Sequence, residues 1–424
     1  MNSERKFDKF IEYFFYCFPI LMILGNSLIN LFSILLSIYA LINFKLVKEL
    51  ILSKNRIYIL VLSTIIVIFP YNSINFENSL IKFFSFFRFV LMFFGVLIFL
   101  KRNQLVIDKS KIIYMFIISI IVIDVIKEYF TGTNILGFYT DYSGRIASFT
   151  NDELIIGYIF CFTSIFVIDS FFKLKNDYYI LTLMFLLITI SFIIGERSNF
   201  IKFFIITSLG FFVNYFKFNK ILIKKFIKIL IFFFKLLLIF FFIIKDTKQF
   251  NKIDIFKIGN QNINQIEKVD DNLNKFYKNY KNLIYNSKHT PHYKTAYEIF
   301  LNYPLFGIGL DNYREEAIKK EYEDKRYFYT NSRASTHPHQ LFFELISEVG
   351  IIGLIFFISL FIMVLYDGLK SYLYRNNKSI LPFLLLHIFF IFPILPSGSF
   401  FGSNYGVPFW LNLSIVVYFY KIKK

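Results

Sequence analysis

The sequence predicts an all-α polytopic membrane protein of about twelve transmembrane helices, and three observations carry that expectation. Of 424 residues, 56% are hydrophobic and 18% are charged, whereas about a quarter of a soluble chain is charged. The charges lie between long apolar runs, and a helix needs roughly 20 mostly apolar residues to cross the hydrocarbon core. Basic residues recur in every second loop, the pattern of loops held on the cytoplasmic side.

The runs fall near 10–25, 27–44, 57–71, 79–100, 111–128, 153–172, 178–195, 199–216, 222–244, 341–366, 380–396 and 406–420. The first two are separated only by Gly25, Asn26 and Ser27 and admit a different division. The charged start Met1–Asp8 lacks a small-residue cleavage site after its apolar run, so it reads as leading into a first span. Lys45, Lys48, Lys54 and Arg56 occupy one loop, Lys101, Arg102, Lys109 and Lys111 the next on that side. Lys173 and Lys175, then Lys217 to Lys225, then Lys370, Arg375 and Lys378, and finally Lys421 to Lys424 continue the series. Both termini are therefore expected in the cytoplasm. The formal charge of +18 is explained by these loops and does not call for nucleic acid. Cys17 and Cys161 both lie in apolar runs, which gives neither a disulfide framework nor a cysteine metal motif.

This orientation divides the chain into nine spans over 1–244, an outward loop over 245–340 and three spans over 341–424. A loop of that length is usually functional or disordered. Its first half, 250–281, is rich in Asn, Lys and Asp. In its second half Tyr293, Ala296, Tyr297, Phe300 and Leu301 recur at helical spacing and predict an amphipathic helix. Pro304 and the pair Gly307 and Gly309 stop it. These glycines read as a turn, because the strand and third glycine of a dinucleotide site are missing.

Four of the five histidines lie in this loop: His289, His292, His337 and His339. Imidazole suits acid–base work near neutral pH. Pro338 fits the first position of a helix, which makes His337 the expected N-cap and His339 the second helical residue. The positive helix end then keeps His339 neutral and able to accept a proton. Gln340, Glu344, Ser347 and Glu348 follow on one face. Two other readings remain open: the histidines cap a helix at the membrane surface, or the four together hold a metal ion.

Arg197 lies in a tight outward turn, Gly195 to Asn199, where a cation is used, paired with Glu196 or turned toward headgroups. Arginine is suited to gripping a phosphate in two-pronged fashion. Arg88 and Asp124 fall in the outer halves of neighbouring spans and are expected to pair. Arg145, with Asp152 and Glu153, is a further candidate in the loop after the fifth span.

Two stretches carry a resemblance. Residues 303–313, YPLFGIGLDNY, and 336–353, THPHQLFFELISEVGIIG, resemble the O-antigen ligase and polymerase family. There a P-x-x-G-x-G turn precedes an H-N-x-x-L-x-x-x-x-E-x-G-x-x-G segment. The Gly195–Asn199 turn and the segment 144–157, GRIASFTNDELIIG, are similar to family features too. The resemblance covers roughly residues 140–355. It implies a GT-C-like, metal-independent glycosyltransferase of the bacterial inner membrane, without cofactor, working at the periplasmic face. The implied donor is a glycan on undecaprenyl diphosphate. The acceptor is lipid A–core for a ligase or a lipid-linked chain for a polymerase. His339 matches the family's catalytic histidine and Arg197 its diphosphate-contacting arginine. The remaining candidates for substrate contact are His337, His289, His292, Arg145, Glu344 and Arg88. Two positions depart from the family: Gln340 replaces the usual Asn, and a second arginine expected near residue 289 is replaced by Lys288, His289, His292 or Lys294. A transporter is the rival class, but the internally repeated halves it would bring are not seen.

Overall fold

A computed structural model describes residues 2–53, 55–139, 144–151, 153–174, 177–218, 285 and 287–422. The ninth expected span, 222–244, and the loop half 250–281 lie outside the described residues. Among those described there are helices and no strands. Fifteen helices of seven residues or more organise the described residues. They are α1 (Asn2–Tyr16), α2 (Phe18–Leu24), α3 (Asn26–Ile42), α4 (Phe44–Leu52), α5 (Arg56–Val67), α6 (Phe76–Arg102), α7 (Val106–Thr131) and α8 (Ile156–Phe172). After these come α9 (Asp177–Ile194), α10 (Arg197–Phe218), α11 (Thr290–Asn302), α12 (Leu341–Glu348), α13 (Gly350–Tyr374), α14 (Leu381–Phe390) and α15 (Ser403–Val417).

Among the described residues two helices, α6 and α13, are by themselves long and apolar enough to cross a membrane. The pair α3 and α4 qualifies as a third, bent by 79° at Asn43. Shorter apolar helices include α5, α8 and the region of α9. The expected runs thus appear as helices wherever the chain is described, several of them interrupted. Gly25, at φ +104°, separates α2 from α3. The outward faces of α7 and α13 carry Ile112, Phe116, Ile123, Ile355 and Ile362 in the open. Exposed apolar stripes of this extent suit contact with lipid rather than water.

The centre of the bundle is α6, against which α3 and α15 pack. Phe86, Phe89, Phe93 and Trp410 are buried there. Gly95 makes the α3 contact possible: a Cβ at that position would stand 2.0 Å from the Leu36 carbonyl oxygen. Small residues that let helix backbones approach are the usual solution inside membranes.

The expected pair Arg88–Asp124 does not form. Arg88 donates from Nη2 to the Ser403 hydroxyl at 2.6 Å. Asp124 accepts from the Ile135 amide at 2.6 Å and the Ser148 hydroxyl at 2.5 Å. Equal depth in neighbouring helices does not bring two side chains to the same side. Asp124 and Glu128 instead organise the segment after α7, Glu128 accepting from the Ala147 and Ser148 amides.

The amphipathic helix forms as α11, but its buried stripe is His292, Thr295, Ala296 and Ile299. Tyr297 and Leu301, expected inside, are exposed. The stripe rotates because His292 finds polar partners inside: its Nδ1 lies 3.1 Å from the Arg333 carbonyl, and the Tyr313 hydroxyl donates to the His292 carbonyl.

Candidate active site

The Gly307–Gly309 turn is a splice between helix ends. The amides of Ile308 and Gly309 donate to the carbonyls of Ser347 and Glu348, at the end of α12. The amides of Ile351 and Ile352, at the start of α13, donate to the carbonyls of Pro304 and Leu305. Helix termini leave such groups without intrahelical partners, so one tight turn satisfies both sides of the α12–α13 break. Gly307, Gly309 and Gly350 all take positive φ, where a side chain is disfavoured. This explains why a proline–glycine turn accompanies the histidine segment: it fixes the helix that the segment enters.

The histidine segment differs from expectation. Pro338 does not open the helix; α12 begins at Leu341 with Gln340 as N-cap, its Oε1 accepting from the Phe343 amide at 3.0 Å. His339 stands before the helix in the left-handed region, φ +58°, with its carbonyl accepting from the Ser397 amide at 2.8 Å. An unusual backbone for a non-glycine residue is held by its surroundings and concentrates at functional positions. Helix-end electrostatics therefore does not account for a neutral His339.

The four loop histidines converge. Ring centres lie 4.3 Å apart for His337 and His339, 4.9 Å for His292 and His339, and 5.7 Å for His289 and His339. No group of three or more His, Cys, Asp or Glu among the described residues is arranged to hold a metal ion. Burial, reinforced by His337, His292 and His289, pulls His339 down to about 3. Burial also pulls His337 down to about 4, against an opposing backbone contact at Ser397. His289 and His292 are lowered as well, first by burial. All four rings thus favour the neutral state at pH 7.

This has a consequence for stability. The unfolded chain binds protons on these rings below about pH 6.5, whereas the folded chain excludes them until far lower. The contribution is complete above pH 6.5 and is lost as the pH falls toward 4 and then 3. The thermal midpoint of the wild type minus that of His339→Gln is expected to shrink as pH is lowered from 7 to 5. A constant difference would show that the native ring protonates as easily as the unfolded one.

His337 lines a cavity of about 500 Å³. Its other walls include Ser198, Asn199 and Lys202 on the first turns of α10, Lys82 on α6 with Asp311, residues 396–399 and Gly402 between α14 and α15, and residues 403–405 at the start of α15. Arg197, the first residue of α10 and the sequence neighbour of the cavity residue Ser198, is exposed. Its neighbour Glu196 is buried and does not pair with it. The Glu196 carboxylate accepts from the Gly157 amide at 2.7 Å and the Asn199 amide group at 2.6 Å. Burial pushes this carboxyl up to about 7, opposed by those hydrogen bonds and by the Arg145 charge. Arg145 is exposed in the segment laid over the turn, where the Ile146 amide donates to the Ile194 carbonyl. Its charge also helps to lower His289, after burial and His292.

Glu344 is 1% exposed, and both carboxylate oxygens are engaged, one by the Ser399 hydroxyl at 2.5 Å and one by the Phe400 amide at 2.8 Å. It holds the cavity wall. Arg88 stands behind that wall on Ser403. Of the residues at the family's second arginine, Lys294 is bound to Glu298 at 2.5 Å and Asp324 at 3.5 Å, and Lys288 lies over the Tyr329 ring. Sequence reasoning missed the 396–405 segment and Lys202. The run LPSGSFFGSNYG, dense in Ser and Gly between two spans, was the available signal for the first. Lys202 gave none, being a single cation within an apolar run.

Residues 182–358 match the family described as O-Antigen ligase, a stretch that holds the arginine turn, the glycine turn and all four loop histidines. No curated protein matches the chain.

Proposed function

We propose that the chain, whose residues 182–358 match the O-antigen ligase family, is an O-antigen ligase moving a glycan from undecaprenyl diphosphate to lipid A–core at the periplasmic face of the inner membrane. The observation that carries this reading is one cavity walled by His337, a member of the neutral histidine cluster, and by Ser198 and Asn199, which directly follow Arg197 in the outward turn. His339 accepts the proton of the acceptor hydroxyl as that oxygen attacks the anomeric carbon. The bond from that carbon to the diphosphate breaks, and undecaprenyl diphosphate leaves with its charge held by Arg197 and Arg145. A diphosphate is a good leaving group, so preorganised positive charge serves in place of a general acid. His337, on the cavity wall, and His289 and His292, behind His339, keep the base dry and neutral. Extension of a lipid-linked glycan is the alternative use of the same machinery. Deleting the gene separates the two: unligated long chains accumulate for a ligase, and single-repeat capping appears for a polymerase.

Arg197→Ala is expected to lower transfer by about 10²- to 10³-fold, the usual loss when one preorganised donor to a developing negative charge is removed. The protein should still insert, because the side chain is exposed. The measurement is the surface glycan of cells carrying the variant, alongside the amount of protein in the membrane. Normal glycan would remove Arg197 from the site. Loss of wild-type activity on chelation would instead favour a metal held by the histidines.

A further inference from the structure

The cavity contains a buried positive charge with no acid to match it. Lys202 is 1% exposed. Its Nζ donates to the Pro396 carbonyl at 2.5 Å and lies 5.7 Å from the centre of the Phe389 ring. No carboxylate among the described residues is within ion-pair distance of it, whereas the cavity's other lysine, Lys82, has Asp311 at 3.6 Å. An ammonium has three donors, and one carbonyl leaves two of them free. Buried charges are ordinarily paired, and an intramembrane lysine without a partner is costly unless function supplies one. Ser198 and Asn199 sit one helical turn before Lys202 and line the same cavity, adding hydrogen-bonding groups to its wall. A cavity of about 500 Å³ also lies within the range of small-molecule sites.

We infer that Lys202 is the specificity-determining cation of this cavity, pairing with an oxyanion carried by the bound ligand. The inference rests on the glycosyl-transfer reading for what enters the cavity. Such an oxyanion has two sources: the diphosphate of the lipid donor, or a carboxylate on the sugar. Arg197 is exposed at the start of α10 and Lys202 is buried five residues further along the same helix, so the two cations address different parts of a ligand that threads from the membrane surface inward.

The test uses the purified full chain in lipid nanodiscs, with undecaprenyl diphosphate lacking sugar and galacturonate lacking phosphate as separate probes. Lys202→Met is expected to weaken binding of at least one probe by tenfold or more, and Lys202→Arg to keep it within threefold. Dependence with the diphosphate assigns the lipid headgroup; dependence with galacturonate assigns the sugar. Equal binding by wild type and Lys202→Met, or no binding of either probe, overturns the inference. The thermal midpoint of the ligand-free proteins separates a purely structural lysine. Removal of an unmatched charge should leave the midpoint level or raise it. A fall in the midpoint with unchanged affinity would reduce Lys202 to a clamp on Pro396. If binding depends on Lys202 but the wild type transfers no glycan to either acceptor, the proposed function fails and the assignment of Lys202 stands.

Discussion

His339→Ala is expected to lower glycan transfer by about 10³- to 10⁴-fold, the upper part of the range for loss of a positioned general base. His339 is held at φ +58° by the Ser397 amide on its carbonyl, and its ring is packed against His337 at 4.3 Å and His292 at 4.9 Å. A ring kept neutral by burial and by three other imidazoles is available as a proton acceptor throughout the physiological range. With its value near 3, wild-type transfer should not fall between pH 8 and pH 5 through protonation of this group. His337→Ala should cost much less, because that ring supplies a wall and a neighbour. Membrane preparations assayed for glycan transfer across that pH range check both statements. A fall centred on pH 6.5 would indicate an ordinary exposed histidine as the base. A dead His337→Ala beside an active His339→Ala would move the base to the cavity wall.

Gly307→Ala should be among the most damaging small substitutions for the fold. At φ +68° an L side chain is already strained by about 1–2 kcal/mol. The added Cβ would stand 2.4 Å from the carbonyl carbon and 2.6 Å from the carbonyl oxygen of Glu348, with no flexible side chain to give way. Gly350→Ala meets the reciprocal obstruction, 2.3 Å from the Leu305 carbonyl oxygen at φ +64°. Strain and overpacking together should remove more than about 3 kcal/mol in each case. Gly132→Ala is the internal control, because it has φ +80° with nothing within 4 Å and should lose only about 1–2 kcal/mol. Thermal midpoints in detergent rank the three. If Gly307→Ala were as stable as Gly132→Ala, the splice between the 304–309 turn and the α12–α13 break would not be what fixes the histidine segment.

Much of the helical layout was legible because apolar length is a direct consequence of the solvent. The run expected at 79–100 is α6, Phe76–Arg102, and that at 111–128 is α7, Val106–Thr131. The histidines and Arg197 were legible because polar chemistry between apolar runs stands out. Azimuth and backbone sign were not. Depth alone suggested an Arg88–Asp124 pair, yet each turns to a serine of a different segment. Helix-start rules favoured Pro338, whereas Gln340 caps the helix and His339 lies outside it, pinned by an amide more than fifty residues away in sequence. The apolar period of α11 pointed to Tyr297 and Leu301, and buried hydrogen bonds of His292 rotated the stripe. In each instance a specific long-range hydrogen bond overrode a local preference. The glycine turn was read as a turn, but its role as partner to two helix ends required the carbonyls of residues 304, 305, 347 and 348 in place.

The central claim is that His339 and Arg197 act on a lipid-diphosphate-linked glycan at one site. Its most direct measurement reconstitutes the purified chain with an undecaprenyl-diphosphate-linked glycan and lipid A–core, and follows the glycosylated acceptor by mass. The account predicts product with the wild type, a trace with Arg197→Ala and none detectable with His339→Ala, all three folded to the same thermal midpoint within a few degrees. Product at the wild-type rate from both variants would contradict it.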